Sequence, residues 1–263
     1  MKGIVMVDRL NYSVISELLH GEAKIVSISS SYDHEISSKI SKQILNRMNI
    51  GYYENAPKIG RIGMAFFESI DSMEKRDFYY KNANKWNFEL RDACFPYLSP
   101  ISYLLSELDT SWVKGAKLAT FKGNKMFSGL ARIFKDGSSA EPHQDIFLRD
   151  APELNKHFPI KEQLAFNIYL DVPEKGGEIE LWNWKATDQE FHNFQNKNPD
   201  LAYGMDREKI RKPDIVYKPK KGEILLFNPR NVHAVAPSNG TPRLTISTFI
   251  GYSSDNEELV LWS

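Results

Sequence analysis

The sequence predicts an α+β protein, mainly β with a helical N-terminal part, and three observations lead to this fold class. Apolar residues recur at helical spacing before about residue 115, and short strand-like runs separated by turn residues follow that point. No linker-like stretch separates the two parts. We therefore expect one domain over residues 1–263, in which residues 1–115 pack on a sandwich or small barrel, such as a jelly roll, formed by residues 116–263.

The N-terminal part contains three predicted helices. Asp33 can cap the first, over residues 34–48, because apolar residues with three-to-four spacing follow it. The second is predicted over residues 65–82, and the third begins near Asn84 and bends at one of its prolines. Each helix has an ordinary apolar stripe on one face, which predicts packing against a larger body.

Short strands are predicted in the second part from apolar and β-branched runs bounded by turn residues. They cover residues 129–134, 143–147, 164–170, 177–182, 215–217, 223–227, 234–236 and 244–252. Gly176 and Gly177 predict a tight hairpin turn before one of them. The polar stretch 185–212 interrupts the strand rhythm, and an insertion of this length is typical of a lid or a mobile loop.

Composition excludes several classes of protein. Lys+Arg and Asp+Glu both number 34, so no net field attracts nucleic acid or an anionic membrane. The single cysteine, Cys94, excludes an intrachain disulfide and a Cys-rich zinc site. Asp8 and Arg9 interrupt the N-terminal apolar run, so we expect no secretory signal or membrane span and a cytoplasmic location. The oligomeric state stays open.

Two of the histidines lie at predicted strands and suggest a metal site. His143 precedes Asp145 by two positions, and residues two apart on a strand point to the same face. His233 lies far downstream at the edge of another predicted strand. Two histidines and one carboxylate form the facial triad that binds Fe(II) and leaves positions open. The alternative is an ordinary strand-end histidine beside a solvated aspartate.

A candidate anion site follows the second histidine. Arg243 comes after the turn at residues 238–242, and its fork-shaped guanidinium can bind a carboxylate through two contacts. Thr245 lies on the same strand face, so its hydroxyl can reach the same carboxylate. Asn167 and Tyr169 share one face of a central strand and can hydrogen-bond the same ligand, although half-buried sheet residues show the same spacing.

In this order the residues resemble the Fe(II)/2-oxoglutarate-dependent dioxygenase superfamily. The matching elements, over about residues 129–252, are His143-x-Asp145, Gly176-Gly177-Glu178, His233 and Arg243-x-Thr245. The N-terminal part and the closing residues 259–263 are similar to the small freestanding oxygenases that act on unattached metabolites. That group includes amino-acid hydroxylases and carrier-independent radical halogenases.

The resemblance implies a double-stranded β-helix, cupin-like and flanked by helices, with iron(II) at one mouth. The two histidines and Asp145 would hold the metal, and 2-oxoglutarate would chelate it. The far carboxylate of 2-oxoglutarate would pair with Arg243 and Thr245. With O₂ as the second cosubstrate, the coproducts would be succinate and CO₂.

Asp145 bears on the type of reaction. Radical halogenases of this kind have Gly or Ala in place of the carboxylate ligand, which leaves a position for chloride. The aspartate is intact here, so the resemblance implies hydroxylation of an unactivated C–H bond in a small metabolite, such as a free or modified amino acid. Desaturation or ring closure stays open, since these reactions begin with the same hydrogen abstraction. A non-catalytic cupin-like protein that binds a metal or small ligand is a further alternative.

Three residues are candidates for contact with the substrate. Arg132, in the strand before the metal ligands, can meet a substrate carboxylate or lie at the surface. Trp182 can face the barrel mouth, although packing in the core is the simpler interpretation of a strand aromatic. Trp262 can close the pocket or anchor the C-terminal segment.

Overall fold

The structure is a computed structural model that describes residues 2–263 except 30, 31, 55, 122, 153–158, 196 and 198–202. Its helices are α1 (Tyr12–Leu19), α2 (His34–Arg47), α3 (Met73–Cys94), α4 (Pro100–Ser111), α5 (Phe147–Asp150), α6 (Asp188–Phe194) and the 3₁₀ helix Phe66–Ser69. Its strands are β1 (Lys2–Val7), β2 (Ala23–Ile28), β3 (Gly51–Tyr52), β4 (Ile59–Ile62), β5 (Ala116–Leu118), β6 (Thr120–Phe121), β7 (Asn124–Lys125), β8 (Leu130–Phe134), β9 (Ala140–His143), β10 (Glu162–Asp171), β11 (Ile179–Leu181), β12 (Ile215–Tyr217), β13 (Ile224–Phe227), β14 (His233–Val235), β15 (Arg243–Tyr252) and β16 (Leu259–Trp262).

Most of the strands belong to one larger sheet. Its order is β1-β2-β13-β10-β15-β8-β4-β3, and β16 pairs with both β15 and β5. The long strands β10 and β15 lie next to each other at its centre and pair antiparallel over nearly their whole length. They therefore provide a regular surface on which side chains alternate between the two faces.

A smaller antiparallel sheet lies opposite these central strands. Its order is β12-β11-β14-β9. Side chains from both sheets line one cavity of about 470 Å³. The two sheets are thus the walls of this cavity.

The N-terminal helices pack on the outer face of the larger sheet, as the sequence predicts. In β10, Phe166 and Ile168 belong to the same apolar cluster as Leu18 of α1 and Ile40 of α2. Asn167, between them, lines the cavity instead. The alternation along β10 therefore separates a core face from a cavity face.

The predicted helix over residues 34–48 agrees with α2, whose Asp33 side chain accepts a hydrogen bond from the N–H of Ile36 at 2.7 Å. The predicted boundary between the second and third helices, at residues 82–84, was wrong. At the start of the predicted second helix, Phe66–Ser69 form a short 3₁₀ helix. The helix α3 then begins at Met73 and continues through the predicted boundary to Cys94. Ser72 caps the start of α3, and Ala83 is fully buried on its inner face, so packing stabilises the helix there.

The purely helical prediction for residues 1–115 was also wrong, because β1 to β4 extend the larger sheet at its two ends. Every residue of β2 is buried, so its sequence shows no alternation between polar and apolar positions. Most residues of the edge strand β1 are exposed, and its sequence carries no core-facing pattern either. Hydropathy patterns therefore gave no signal for either strand.

Seven of the predicted strands overlap observed strands, namely β8 and β10 to β15. The strand predicted over residues 143–147 was wrong, because β9 ends at His143 and Phe147 already begins α5. The hairpin predicted at Gly176 and Gly177 was wrong as well. These glycines lie where the chain passes from β10 of the larger sheet to β11 of the smaller one.

Gly176 is needed at this crossing between the sheets. Its φ is +74°, and a Cβ added there would lie 1.7 Å from the carbonyl oxygen of Pro237. Within the part of the chain that the structure describes, no helix combines the length and the apolar character needed to cross a membrane.

Candidate active site

Two histidines and one aspartate meet at one side of the cavity. The Nε2 atom of His233 lies 3.4 Å from Oδ2 of Asp145, and Nε2 of His143 lies 3.9 Å from Oδ1 of Asp145. One ligand atom from each residue lies within 4.8 Å of the other two. Ligands about 2 Å from a shared ion lie within about 4 Å of one another, so a metal ion fits here with small adjustments.

Hydrogen bonds fix the orientation of both imidazoles. The Nδ1 of His143 donates to the backbone carbonyl of Glu141 at 2.6 Å, and Nδ1 of His233 donates to that of Asn231 at 3.0 Å. With the proton on Nδ1, each Nε2 presents a lone pair to the common centre. This pairing of a ligating histidine with a carbonyl acceptor is typical of metal sites.

Strand register brings the two histidines together. His233 in β14 is the antiparallel partner of His143 in β9, and their ring centroids are 4.3 Å apart. Asp145 lies beyond the end of β9, where its N–H donates to the carbonyl of Pro229 at 3.0 Å. The residues of the His-x-Asp pair therefore converge because the chain turns after His143, and not because they share a strand face.

The local environment favours the protonation states that bind a metal. Burial and, to a lesser extent, the neighbouring His233 lower the pKa of His143 to about 4, although the charge of Asp145 opposes this. Burial raises the pKa of Asp145, but its contacts with His233 and His143 and the charge of Arg132 outweigh this effect and hold the pKa below its usual range. A neutral imidazole and an ionised carboxylate are the ligand forms.

Arg243 lies on the opposite wall of the cavity, in β15. It is 3% exposed, and its Nε and Nη1 have no hydrogen-bond partner among the described residues. The guanidinium carbon lies 4.9 Å from the ring centroid of Phe134 and 5.0 Å from that of Tyr169. Two aromatic rings thus hold a buried cation whose free donors are available to an anion.

The other predicted cosubstrate residues have different positions. Thr245 and Asn167 line the cavity, and Ser247, the register partner of Asn167, lines it too. Tyr169 does not line the cavity but packs against Arg243. Burial raises the pKa of Tyr169, although the cation of Arg243 opposes this. Tyr169 is therefore placed to position the arginine.

The three predicted substrate residues lie in different places relative to the cavity. Arg132 lines the cavity, where its Nε donates to the hydroxyl of Tyr53 at 3.2 Å. Trp182 lies outside the cavity in a separate apolar cluster and donates from Nε1 to the carbonyl of Arg211 at 2.6 Å, so its assignment to the substrate was wrong. Trp262 packs against Phe147 and lines a small adjoining recess.

Several cavity residues were not predicted from the sequence, including Tyr53, Arg149, Asp150, Phe191 and Tyr203. Arg149 and Asp150 lie on the short helix α5 directly after the metal ligands, and this proximity in sequence was the one available signal. The other three come from segments distant in sequence. No spacing pattern links them to the site.

Part of the stretch 185–212 closes one side of the cavity, while residues 196 and 198–202 of this stretch lie outside the described residues. Phe191, Tyr203 and Gly204 line the cavity. The ring of Tyr203 contacts that of His143 edge-on at 5.8 Å, and its hydroxyl accepts the N–H of Glu141 at 3.0 Å. The described part is therefore fixed against the smaller sheet.

The residues present fit an iron(II) ion and a dicarboxylate cosubstrate. The donor set of two neutral imidazoles and one carboxylate suits iron(II). The buried, unpartnered nitrogens of Arg243 suit a carboxylate, because an unsatisfied buried cation is otherwise costly. The metal ligands and this arginine face the same cavity.

Comparison with known proteins shows the family. Residues 8–263 match the family described as "Carrier-protein-independent halogenase WelO5". This chain belongs to that family. The predicted superfamily, the Fe(II)/2-oxoglutarate-dependent dioxygenases, is thereby confirmed, and the cluster of two histidines and one aspartate could hold the predicted iron(II).

Two relatives of this family member are 30% identical to it. The match to the L-gamma-glutamyl-L-propargylglycine hydroxylase of Streptantibioticus cattleyicolor spans 168 residues, which is 62% of this chain and 59% of that protein. The match to leucinostatins biosynthesis cluster protein S of Purpureocillium lilacinum spans 226 residues, 79% of this chain and 86% of that protein.

Solved structures share the fold. The N-substituted L-amino acid dioxygenase of Burkholderia ambifaria AMMD has a TM-score of 0.66 at 16% identity and covers 96% of this chain and 91% of its own. Its complex with alpha-KG has a TM-score of 0.64 at 15% identity, with 95% and 90% covered.

Proposed function

We propose that this protein hydroxylates an unactivated C–H bond of a small amino-acid-like metabolite, using Fe(II), 2-oxoglutarate and O₂. The observation that carries the proposal is a three-ligand metal cluster facing a buried, unpartnered arginine across one cavity. By their names, one relative hydroxylates a γ-glutamyl amino acid and one structural neighbour acts on N-substituted L-amino acids. These names support the substrate class.

Asp145 supports hydroxylation within a family that is named for halogenation. Its carboxylate lies among the metal ligands, 3.4 Å from His233. A carboxylate there occupies the position that chloride needs in the halogenases. We therefore infer that the chain is a hydroxylase member of its family.

When bound, iron(II) and 2-oxoglutarate would together reduce and activate O₂, which is the oxidant for removal of a hydrogen atom from the substrate. The backbone carbonyls of Glu141 and Asn231 fix the imidazole orientations. Arg243 would neutralise the far carboxylate of the cosubstrate, and Thr245 beside it would add a hydroxyl donor. Apolar side chains of both sheets, such as Phe227, limit access of water to the centre.

We also propose that the two facing sheets are a double-stranded β-helix and that residues 1–263 form one domain. The crossing of the chain between the sheets at β10–β11 and at β14–β15 supports the first point. The pairing of β2 with β13 supports the second, because it joins the N-terminal part to the catalytic half in one sheet.

The test is aerobic turnover by the iron-loaded protein, with succinate release and product mass measured for a panel of amino acids, N-acyl amino acids and γ-glutamyl dipeptides. Hydroxylation predicts succinate in equal amount to a product that has gained one oxygen atom. Loss of two hydrogens would establish desaturation instead. The absence of 2-oxoglutarate-dependent succinate with every substrate would favour a non-catalytic binding protein.

A further inference from the structure

The cavity carries charges that neither the metal ligands nor Arg243 explain. Arg132 comes from β8 of the larger sheet, and Arg149 and Asp150 come from α5, next to the metal ligand Asp145. All of these side chains line the same cavity. A functional pocket that is otherwise largely apolar uses a few such groups to orient its ligand.

Asp150 has acceptor capacity to spare. Among the described residues, one side chain donates to its Oδ1, over a long distance of 3.3 Å from Nε of Arg149, and the backbone of Ile146 contributes a further hydrogen bond. Arg149 is also engaged elsewhere, since its Nη2 donates to the carbonyl of Gln144 at 2.7 Å and its guanidinium stacks on Phe191 at 5.3 Å. An ionised carboxylate offers about four acceptor sites, so Asp150 can accept a further donor from the cavity.

The environment of Asp150 destabilises its charged form, so a further hydrogen-bond donor would stabilise this carboxylate. Burial raises its pKa to about 6, although the charge of Arg149 opposes this, and the nearby charge of Asp145 raises it as well. A carboxylate that is destabilised in this way gains from a cationic or N–H donor. Its side chain is still 33% exposed, and it lines the cavity, so such a donor can reach it.

Arg132 has free N–H donors, whereas Asp150 has free acceptor positions. Its one side-chain hydrogen bond within the described residues goes from Nε to the hydroxyl of Tyr53 at 3.2 Å. Its β8 position is the register partner of Thr245, one strand away from the proposed cosubstrate site. A guanidinium has five N–H donors, and the remaining ones suit a carboxylate.

The charged side chains that line the cavity, within the described residues, also favour an acidic ligand. Iron(II) and dianionic 2-oxoglutarate would cancel each other. Three lining arginines, Arg132, Arg149 and Arg243, then face two aspartates, Asp145 and Asp150. The excess positive charge favours a substrate with more carboxylates than amines.

We propose, on the basis of the function proposed above, that the substrate is an amino acid or N-acylated amino acid held at two poles. Its carboxylate binds Arg132, and its nitrogen, as an ammonium or an amide N–H, binds Asp150. The carbon chain between the poles passes the metal ligands, since Arg132, Asp145 and Asp150 line the same cavity. The charge excess favours the N-acylated form, whose nitrogen is neutral.

The test measures binding and not turnover. The anaerobic protein is loaded with Fe(II) and 2-oxoglutarate, and its charge-transfer band is titrated with the proteinogenic amino acids and their N-acetyl derivatives. The tightest ligand is then compared with its carboxamide, which lacks the carboxylate, and with its des-amino acid, which lacks the nitrogen. Thermal unfolding and 2-oxoglutarate affinity are measured for every variant.

Arg132→Gln is expected to weaken the ligand and its des-amino acid by about tenfold or more and to leave the carboxamide unchanged. Asp150→Asn is expected to weaken the ligand and its carboxamide and to leave the des-amino acid unchanged. Because asparagine keeps an acceptor oxygen, a larger loss for the free amine than for the N-acetyl form identifies an ammonium. Arg47→Gln and Asp77→Asn, both at exposed helix positions, are matched controls.

Each contrary result overturns the proposal in a distinct way. Equal losses for all ligands, or no loss, would show that the two residues do not recognise separate poles. A raised 2-oxoglutarate requirement in Arg132→Gln would assign Arg132 to the cosubstrate. If no ligand in the panel shifts the band, the substrate class is wrong, while the band itself still supports the proposed function.

Discussion

The two walls of the cavity are built differently. The smaller sheet carries the metal ligands on short strands and on the turn after β9, where Asp145 is held by backbone hydrogen bonding. The larger sheet carries Arg243 and Thr245 on β15. Arg243 begins this strand and pairs with Phe134 of β8, whereas Thr245 pairs with Arg132 of β8 and Tyr169 of β10. We call the smaller sheet with His143, Asp145 and His233 the metal wall, and the part of the larger sheet with Arg243 and Thr245 the anion wall. The positions of the ligands in the metal wall depend on local turns, whereas those in the anion wall depend on regular strand alternation.

This difference indicates how rigidly each set of side chains is held. Thr245 is fixed by strand pairing on both sides, and Arg243 is fixed by pairing with β8 and by the rings of Phe134 and Tyr169. These contacts suit an arginine whose buried donors have no partner among the described residues. Ligands on short strands and turns can adjust by a few tenths of an ångström around an ion. We therefore expect a substitution of Arg243 to weaken 2-oxoglutarate binding without changing Fe(II) binding in the absence of the cosubstrate.

The largest expected effect is on the metal wall. His143→Ala and His233→Ala each remove one of three ligands, so Fe(II) affinity should fall by more than the roughly 10–100-fold typical of changes to outer partners. Anaerobic calorimetry with Fe(II) measures this, with His20→Ala as the control at an exposed helix end. Wild-type affinity in either variant would remove that histidine from the metal site.

Substitution of Arg243 in the anion wall should change the affinity for 2-oxoglutarate and not the affinity for Fe(II). Arg243→Gln removes charge-assisted hydrogen bonds worth about 1.5–3 kcal/mol each, so the Kd for 2-oxoglutarate should rise by about tenfold to hundredfold. Fe(II) affinity should stay at the wild-type value. A parallel loss of Fe(II) affinity would show that the walls are coupled, and an unchanged Kd would place the cosubstrate elsewhere.

A smaller effect on 2-oxoglutarate binding is expected from Tyr169, which packs against Arg243 and does not line the cavity. Tyr169→Leu removes a ring that stacks on Arg243, a contact worth about 1 kcal/mol, so the Kd for 2-oxoglutarate should rise roughly fivefold. Tyr169→Phe keeps the ring and should lose less. If the two variants behaved alike, the hydroxyl and not the ring would be the positioning group.

The smallest effect on the site is expected from Trp182, outside the cavity. Trp182→Phe loses the bond to the carbonyl of Arg211 and some packing, so the free energy of unfolding should fall by about 1–2 kcal/mol. The apparent KM for any substrate should not change. A change in KM without a change in stability would restore the substrate role that the structure argues against.

Strand periodicity correctly predicted that Arg243 and Thr245 lie on the same strand face, while their role in binding the cosubstrate stays a prediction. Arg243 and Thr245 fall on one face of β15, as alternation requires, and Asn167 faces the same cavity from β10. The metal wall was predicted for the wrong reason. His143 and Asp145 do not share a strand, and they converge through a turn and through the pairing of His143 with His233.

Two tyrosines of the site and two strands of the larger sheet had no signal in the sequence. Tyr53 and Tyr203 reach the cavity from segments distant in sequence, and neither has a motif. Strands β1 and β2 were missed because one is exposed and the other wholly buried, so neither alternates. Long-range pairing, and not local propensity, determines these features.

The most direct test is an anaerobic absorption titration of the Fe(II)-loaded protein with 2-oxoglutarate. A metal ion held by His143, Asp145 and His233 opposite Arg243 predicts a metal-to-ligand charge-transfer band that saturates at one 2-oxoglutarate per chain. In Arg243→Gln the same band should appear at higher 2-oxoglutarate concentration. The absence of a band in the wild-type protein would contradict a shared iron and 2-oxoglutarate site.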